Sequence, residues 1–95
     1  MHMEINAHGF VMRSTLRADI ERQIGRLVQG QARPLRRVAV DLFEDRDGPF
    51  RGSNKHCRVQ VEYLNDARET VSQTERNFHA AVSEAFLEVL RRQPS

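Results

Sequence analysis

The ten residues Asn54-Lys55-His56-Cys57-Arg58-Val59-Gln60-Val61-Glu62-Tyr63 constrain the fold more than any other stretch of this chain. They alternate strictly, with Cys57, Val59, Val61 and Tyr63 on one side and His56, Arg58, Gln60 and Glu62 on the other. Such a strand needs cover on one face and water on the other. The same phase decides the chemistry of Cys57. Its neighbour His56 points to the opposite side of the sheet, so the two form no thiolate–imidazole pair. A cysteine aligned with two valines reads as core, not as a nucleophile.

The remaining elements follow from the same periodicities. Met3 to His8 alternates and Gly9 ends it, giving a first strand. Leu16, Ile20, Ile24, Leu27 and Val28 recur at helical spacing, so Thr15 to about Gln29 is an amphipathic helix, with Ser14 or Thr15 as its cap. Val38, Val40 and Leu42 alternate with Ala39, Asp41 and Phe43 in a second strand. A turn-rich loop, Glu44 to Asn54, leads to the strand around Cys57. Asn65-Asp66 then turns the chain into a fourth strand, Glu69 to Gln73. Phe78, Ala81, Val82, Ala85, Phe86 and Val89 define a second helix from about Glu75 to Arg92, stopped by Pro94. The expected fold is α+β in the order β-α-β-β-β-α. Strands two to four form an antiparallel meander, strand one lies beside strand two, and both helices pack on one face of the four-stranded sheet.

Ninety-five residues suffice for one domain, residues 1–95, with a modest core. Cys57 is the only cysteine, which excludes an internal disulfide and points to a cytoplasmic protein. No apolar run approaches the roughly 18 residues of a membrane span. Chemistry is hard to place. His2, His8, His56 and His79 share no metal-ligand spacing and are expected at the surface. Asp45-Arg46-Asp47-Gly48 hints at a calcium loop, but Pro49, Phe50 and His56 stand where ligands and the turning glycine are required. Glu44, Asp45 and Asp47 read instead as a solvated loop tip. No phosphate-binding glycine loop or serine–base pair occurs, so the expectation is a non-enzyme without cofactor or metal.

The basic residues are more telling. Fourteen arginines stand against one lysine, at a formal net charge of +2. The arginine fork suits phosphate, although a GC-rich genome enriches arginine equally well. Arg22 and Arg26 lie one turn apart on the polar face of the first helix. Arg33, Arg36 and Arg37 follow it, Lys55 and Arg58 open the third strand, and Arg91 and Arg92 close the second helix. One reading is a solvated surface with ordinary pairing, such as Asp19 with Arg22; the other is a surface that contacts rRNA phosphates. Phe43 is the only aromatic expected on the outward sheet face, which argues against a base-stacking platform there.

The order of elements, together with Met3-Glu4-Ile5-Asn6, Leu16-Arg17, Val38-Ala39-Val40-Asp41-Leu42, Lys55-His56-Cys57-Arg58-Val59 and Ala81-Val82, resembles the ribosome hibernation promoting factors, or ribosome-associated translation inhibitors. The resemblance spans Met3 to Arg92 and implies a protein that binds the small ribosomal subunit and its rRNA. It would sit between head and body, where messenger and transfer RNA pass, and hold ribosomes idle under stress. Arg26 and Arg91 match positions where the family is basic. Gln23 stands where relatives carry lysine, and Leu87-Glu88 replaces an acidic residue followed by a basic one, so helix two offers less positive charge. A short form is expected, without the C-terminal domain that pairs ribosomes and monomeric off the ribosome. Leu87 points outward and reads first as a simple exposed leucine, with a weak dimer contact or a partner site as the sharper alternative. The competing expectation is a protein-interaction module of the same fold that does not bind ribosomes.

Overall fold

The structure is a computed structural model that describes residues 1–30, 33–46 and 48–93. The elements are β1 (His2–His8), α1 (Ser14–Gln29), β2 (Leu35–Asp45), β3 (Asn54–Tyr63), β4 (Arg68–Glu75) and α2 (Phe78–Arg91). They form one sheet in the order β1-β2-β3-β4, with β1 parallel to β2 and the other pairs antiparallel. The parallel pair follows from α1, because two parallel neighbours need a crossover between them. The expected α+β order and meander hold. The stop signal at Pro94 lies outside the described residues, as does Asp47 of the acidic loop.

Register sorts every strand residue onto one of two faces. On the inner face Ile5, Val40, Val59 and Val71 form one row across all four strands, and Ala7, Leu42, Cys57 and Gln73 form the next. Cys57, Val59 and Val61 are fully buried and Tyr63 nearly so. α2 packs over β3 and β4, while α1 packs against β2 and α2. Leu16, Ile20, Ile24 and Leu27 from α1 join Ala81, Val82, Ala85, Phe86 and Val89 from α2 in one core with these strand residues. Val28 was expected in that stripe but is 42% exposed. It lies about 100° round from Leu27 in the last turn, beyond the packed face.

Several boundaries differ from the periodicity. β4 runs on to Glu75 because Thr74 and Glu75 still pair with His56 and Lys55 of β3. α2 therefore starts later, at Phe78, where the Asn77 side chain accepts the Ala80 N–H at 2.8 Å. At α1 the cap position falls to Arg13, and Ser14 is already helical, so no side chain caps that end. The Asn65-Asp66 turn forms as expected, with Asp66 at φ 67° and the Asn65 carboxamide accepting the Ala67 N–H at 3.1 Å.

The loop between β2 and β3 is built around Asn54, whose side chain is fully buried. Its carboxamide accepts the Phe50 N–H at 2.9 Å and donates to the Phe50 carbonyl at 3.1 Å, standing in for a strand partner. Gly48 passes so close that a Cβ there would lie 2.5 Å from Asn54 Cγ. The expected solvated tip is correspondingly smaller. Glu44 and Asp45 belong to β2, where Glu44 meets Ser53 and Lys55 and Asp45 meets His56.

Two outcomes test this frame. Asn54→Ala leaves the N–H and the carbonyl of half-buried Phe50 without their partner and should lower unfolding free energy by about 1–3 kcal/mol in urea titration. Burial, with a smaller contribution from Asp41, pushes the Cys57 thiol up from 9.0 to about 12. The folded state therefore disfavours the thiolate: its stability is full below about pH 9 and declines as pH rises towards 12. Cys57→Ala should flatten that alkaline decline, and an unchanged slope would place the thiol at the surface.

Candidate nucleic-acid interface

The outer face of the sheet carries alternating charges that satisfy one another. Its rows are His2-Arg37-Glu62-Arg68, Glu4-Ala39-Gln60-Thr70, Asn6-Asp41-Arg58-Ser72 and His8-Phe43-His56-Thr74. Arg37 donates to Glu4 at 2.7 Å and lies 3.6 Å from Glu62, which also faces Arg68 at 3.9 Å. The Arg37 hydrogen bond, followed by that from His2, holds the Glu4 carboxyl below its usual range. The return effect raises Arg37. In the next row Asp41 accepts from His8 at 2.9 Å and from Asn6 at 3.3 Å, with Arg58 at 3.7 Å. Phe43 is covered, because His8 stacks on it at 4.6 Å and the Arg58 guanidinium lies 5.0 Å from its ring centre. A face so compensated offers neither free charge nor a bare ring.

Arg37 and Arg58 thus sit in a sheet network, apart from the other cations named from sequence. Arg22 bonds Asp19 at 2.5 Å, the pairing that i, i+3 spacing suggests. Asp19 also meets His79 Nδ1 at 2.9 Å and so ties α1 to α2. Arg26, one turn on, has no carboxylate partner among the described residues. At the end of the sheet where both helices finish, Arg36 bonds Asp66 at 2.8 Å and Arg33 lies over Tyr63, 4.1 Å from the ring centre. Arg91 and Arg92 both reach Glu88, at 2.8 and 3.1 Å. Glu88 therefore absorbs two cations of its own helix. Lys55 stands at the opposite end, 3.1 Å from Glu44 and bonded to Ser53. The nine do not converge on one patch.

The histidines are less free than their scatter suggests. Each faces a carboxylate: His2 with Glu4, His8 with Asp41, His56 with Asp45 and His79 with Asp19. His56 is the least exposed of them, held between Asp45 at 2.9 Å and Thr74 at 2.7 Å. Among the described residues no group of three or more His, Cys, Asp or Glu side chains could hold a metal ion. Among the described residues no helix is long and apolar enough to cross a membrane.

Sequence reasoning missed the end of the molecule where both helices begin. There β1, β2 and β4 finish and β3 starts, so the three connecting segments lie together. Each brings a phenylalanine within three positions of an arginine: Phe10 with Arg13, Phe50 with Arg51, Phe78 with Arg76. That recurrence was the available signal. Arg13, Arg51 and Arg76 have no carboxylate partner among the described residues. Arg76 lies 5.3 Å from the Phe50 ring centre and Lys55 5.6 Å from that of Phe78. Phe10 and Phe78 stack beside a cleft of about 390 Å³.

Solved structures share this fold, two of them over nearly the whole chain. A ribosomal subunit interface protein from Coxiella burnetii superimposes with a TM-score of 0.80 at 12% sequence identity, covering 97% of this chain and 92% of that one. The Protein Y N-terminal domain from Thermus thermophilus gives 0.75 at 17% identity, covering 97% of this chain and 94% of its own. No family profile matches the sequence, and no curated protein matches it. The architecture expected from the hibernation-factor resemblance is the one these structures have.

The two kinds of arginine should separate experimentally. Arg37→Ala leaves Glu4 and Glu62 without their shared cation and should move acid unfolding to higher pH, because the depressed Glu4 carboxyl returns towards its ordinary value. Arg26→Ala removes no ion pair and should leave the acid limb where it was; circular dichroism at stepped pH reads both.

Proposed function

We propose that this protein is a non-catalytic, cytoplasmic ribosome-binding factor that contacts the rRNA of the small subunit in the decoding channel and inhibits translation by filling it. The observation that carries this reading is the fold, shared over nearly the whole chain with a protein named for the ribosomal subunit interface. The domain would act as a plug: a folded body in the path of messenger and transfer RNA excludes them without chemistry. Idling ribosomes under stress, and a monomeric state off the ribosome, complete the reading.

The contact set we propose keeps the nine cations named from sequence and ranks them by what the fold leaves free. Arg26 and Arg33 have no carboxylate to give up. Arg22, Arg36, Arg91 and Arg92 are paired, yet half or more of each side chain remains exposed, so a phosphate can join as a further acceptor. Lys55, Arg37 and Arg58 come last, because each is already engaged within the sheet or its loops. Arg13, Arg51 and Arg76 are additions from the structure.

Exposed Leu87 and Leu90 favour the second reading, a protein-interaction module. They lie one turn apart on α2 at 48% and 42% exposure, and the cations beside them are neutralised by Glu88. Sedimentation with purified small subunits separates the two. If four phosphates are contacted, affinity should fall roughly 50- to 150-fold between 50 and 200 mM salt. Arg22→Glu with Arg26→Glu should weaken binding and relieve inhibition of a cell-free translation extract while the domain stays folded. No sedimentation at low salt, with a dimer abolished by Leu87→Lys, would leave the interaction module.

A further inference from the structure

The cleft where both helices begin has the make-up of a ligand site. Its 390 Å³ falls within the range of small-molecule pockets. Its floor is apolar: Phe10 and Phe78 are stacked at 4.5 Å and 15°, with Leu16 beside them. Val11 on the lip is 91% exposed. The rim carries the cations Arg13 and Lys55 together with His79, and among the described residues no carboxylate lines it. Lys55 and His79 are partnered from outside the cleft by Glu44 and Asp19, whereas Arg13 has no carboxylate partner among the described residues. Arg76 lies on the adjoining connection. The uncapped first turn of α1 adds to the same sign.

Aromatic surface under a cationic rim complements a flat ring that carries an anion. We propose that the cleft takes one unpaired nucleotide of an RNA strand, its base against the Phe10–Phe78 pair and its phosphate at Arg13. This rests on the reading that the partner is RNA, and it adds the state of that RNA. A base inside a duplex cannot reach the floor, so the recognised nucleotide is splayed out of a loop or a single-stranded segment.

The test is an NMR titration of the whole chain with three probes: a short single-stranded oligoribonucleotide, the same strand made abasic, and a free nucleoside monophosphate. The intact strand should shift the ring signals of Phe10 and Phe78, and the abasic strand should bind about tenfold more weakly. Phe10→Leu keeps an apolar floor and should lose about tenfold in affinity for the intact strand. Val11→Glu, at a solvent-facing position that does not bear on folding, should weaken it as well by opposing the phosphate. Equal binding of the abasic strand, or no loss in either variant, overturns the proposal. A mononucleotide that binds as tightly as the strand overturns the assignment to RNA. Small-subunit sedimentation is read separately. Oligonucleotide capture in the cleft without subunit binding removes the ribosome reading and leaves the cleft. Subunit binding unchanged by both variants removes the cleft and leaves the ribosome reading.

Discussion

One-sided burial of the sheet is the constraint on which the rest of this structure depends. β2 and β3 place Val38, Val40, Leu42, Cys57, Val59 and Val61 on one face, and that face must be covered. The strands then dictate where the helices begin. With β1 parallel to β2 and the meander antiparallel, both helices leave the sheet at the same end. Three connections are thereby gathered into one neighbourhood, although they are far apart in sequence. The aromatic–arginine grouping there is a product of topology.

The uncovered face solves a different problem. Water solvates it, but its residues are close enough to interact across strands, and alternating signs make each crossing favourable. Exposed pairs of this kind contribute modestly to stability. Their larger effect is on what the surface shows to others, because a charge already matched has less to gain from a passing phosphate. A composition with nearly balanced charge can still present unmatched arginine where the chain turns, since the matching is local.

The strands, helices and buried phase of Cys57 were legible because period-two and period-3.6 burial leave direct traces in sequence. The helix starts were less legible. Ser14 reads as a cap but is pulled into the helix, and Glu75 reads as helical but is kept in β4 by Lys55. At Glu75 strand pairing outweighed local preference. The candidate surface was the least legible part. Arg37 and Arg58 look like their neighbours in sequence, yet register places each opposite a carboxylate. No single segment could announce the cleft, because Phe10, Lys55 and Phe78 meet only after the sheet is assembled.

A sheet ordered β1-β2-β3-β4 has two open edges, and an open edge is a template on which a second copy can add. Here the aliphatic residues are concentrated in the two inner strands. β4 contributes Val71 amid Arg68, Glu69 and Glu75, and β1 is seven residues long with His2, Glu4 and His8 along it. The strands most prone to cross-β stacking are therefore the ones hydrogen-bonded on both sides, and the strands left bare are charged. A second copy adding to either edge would have to strip water from these charged side chains, a cost that the inner strands, already paired on both sides, never present.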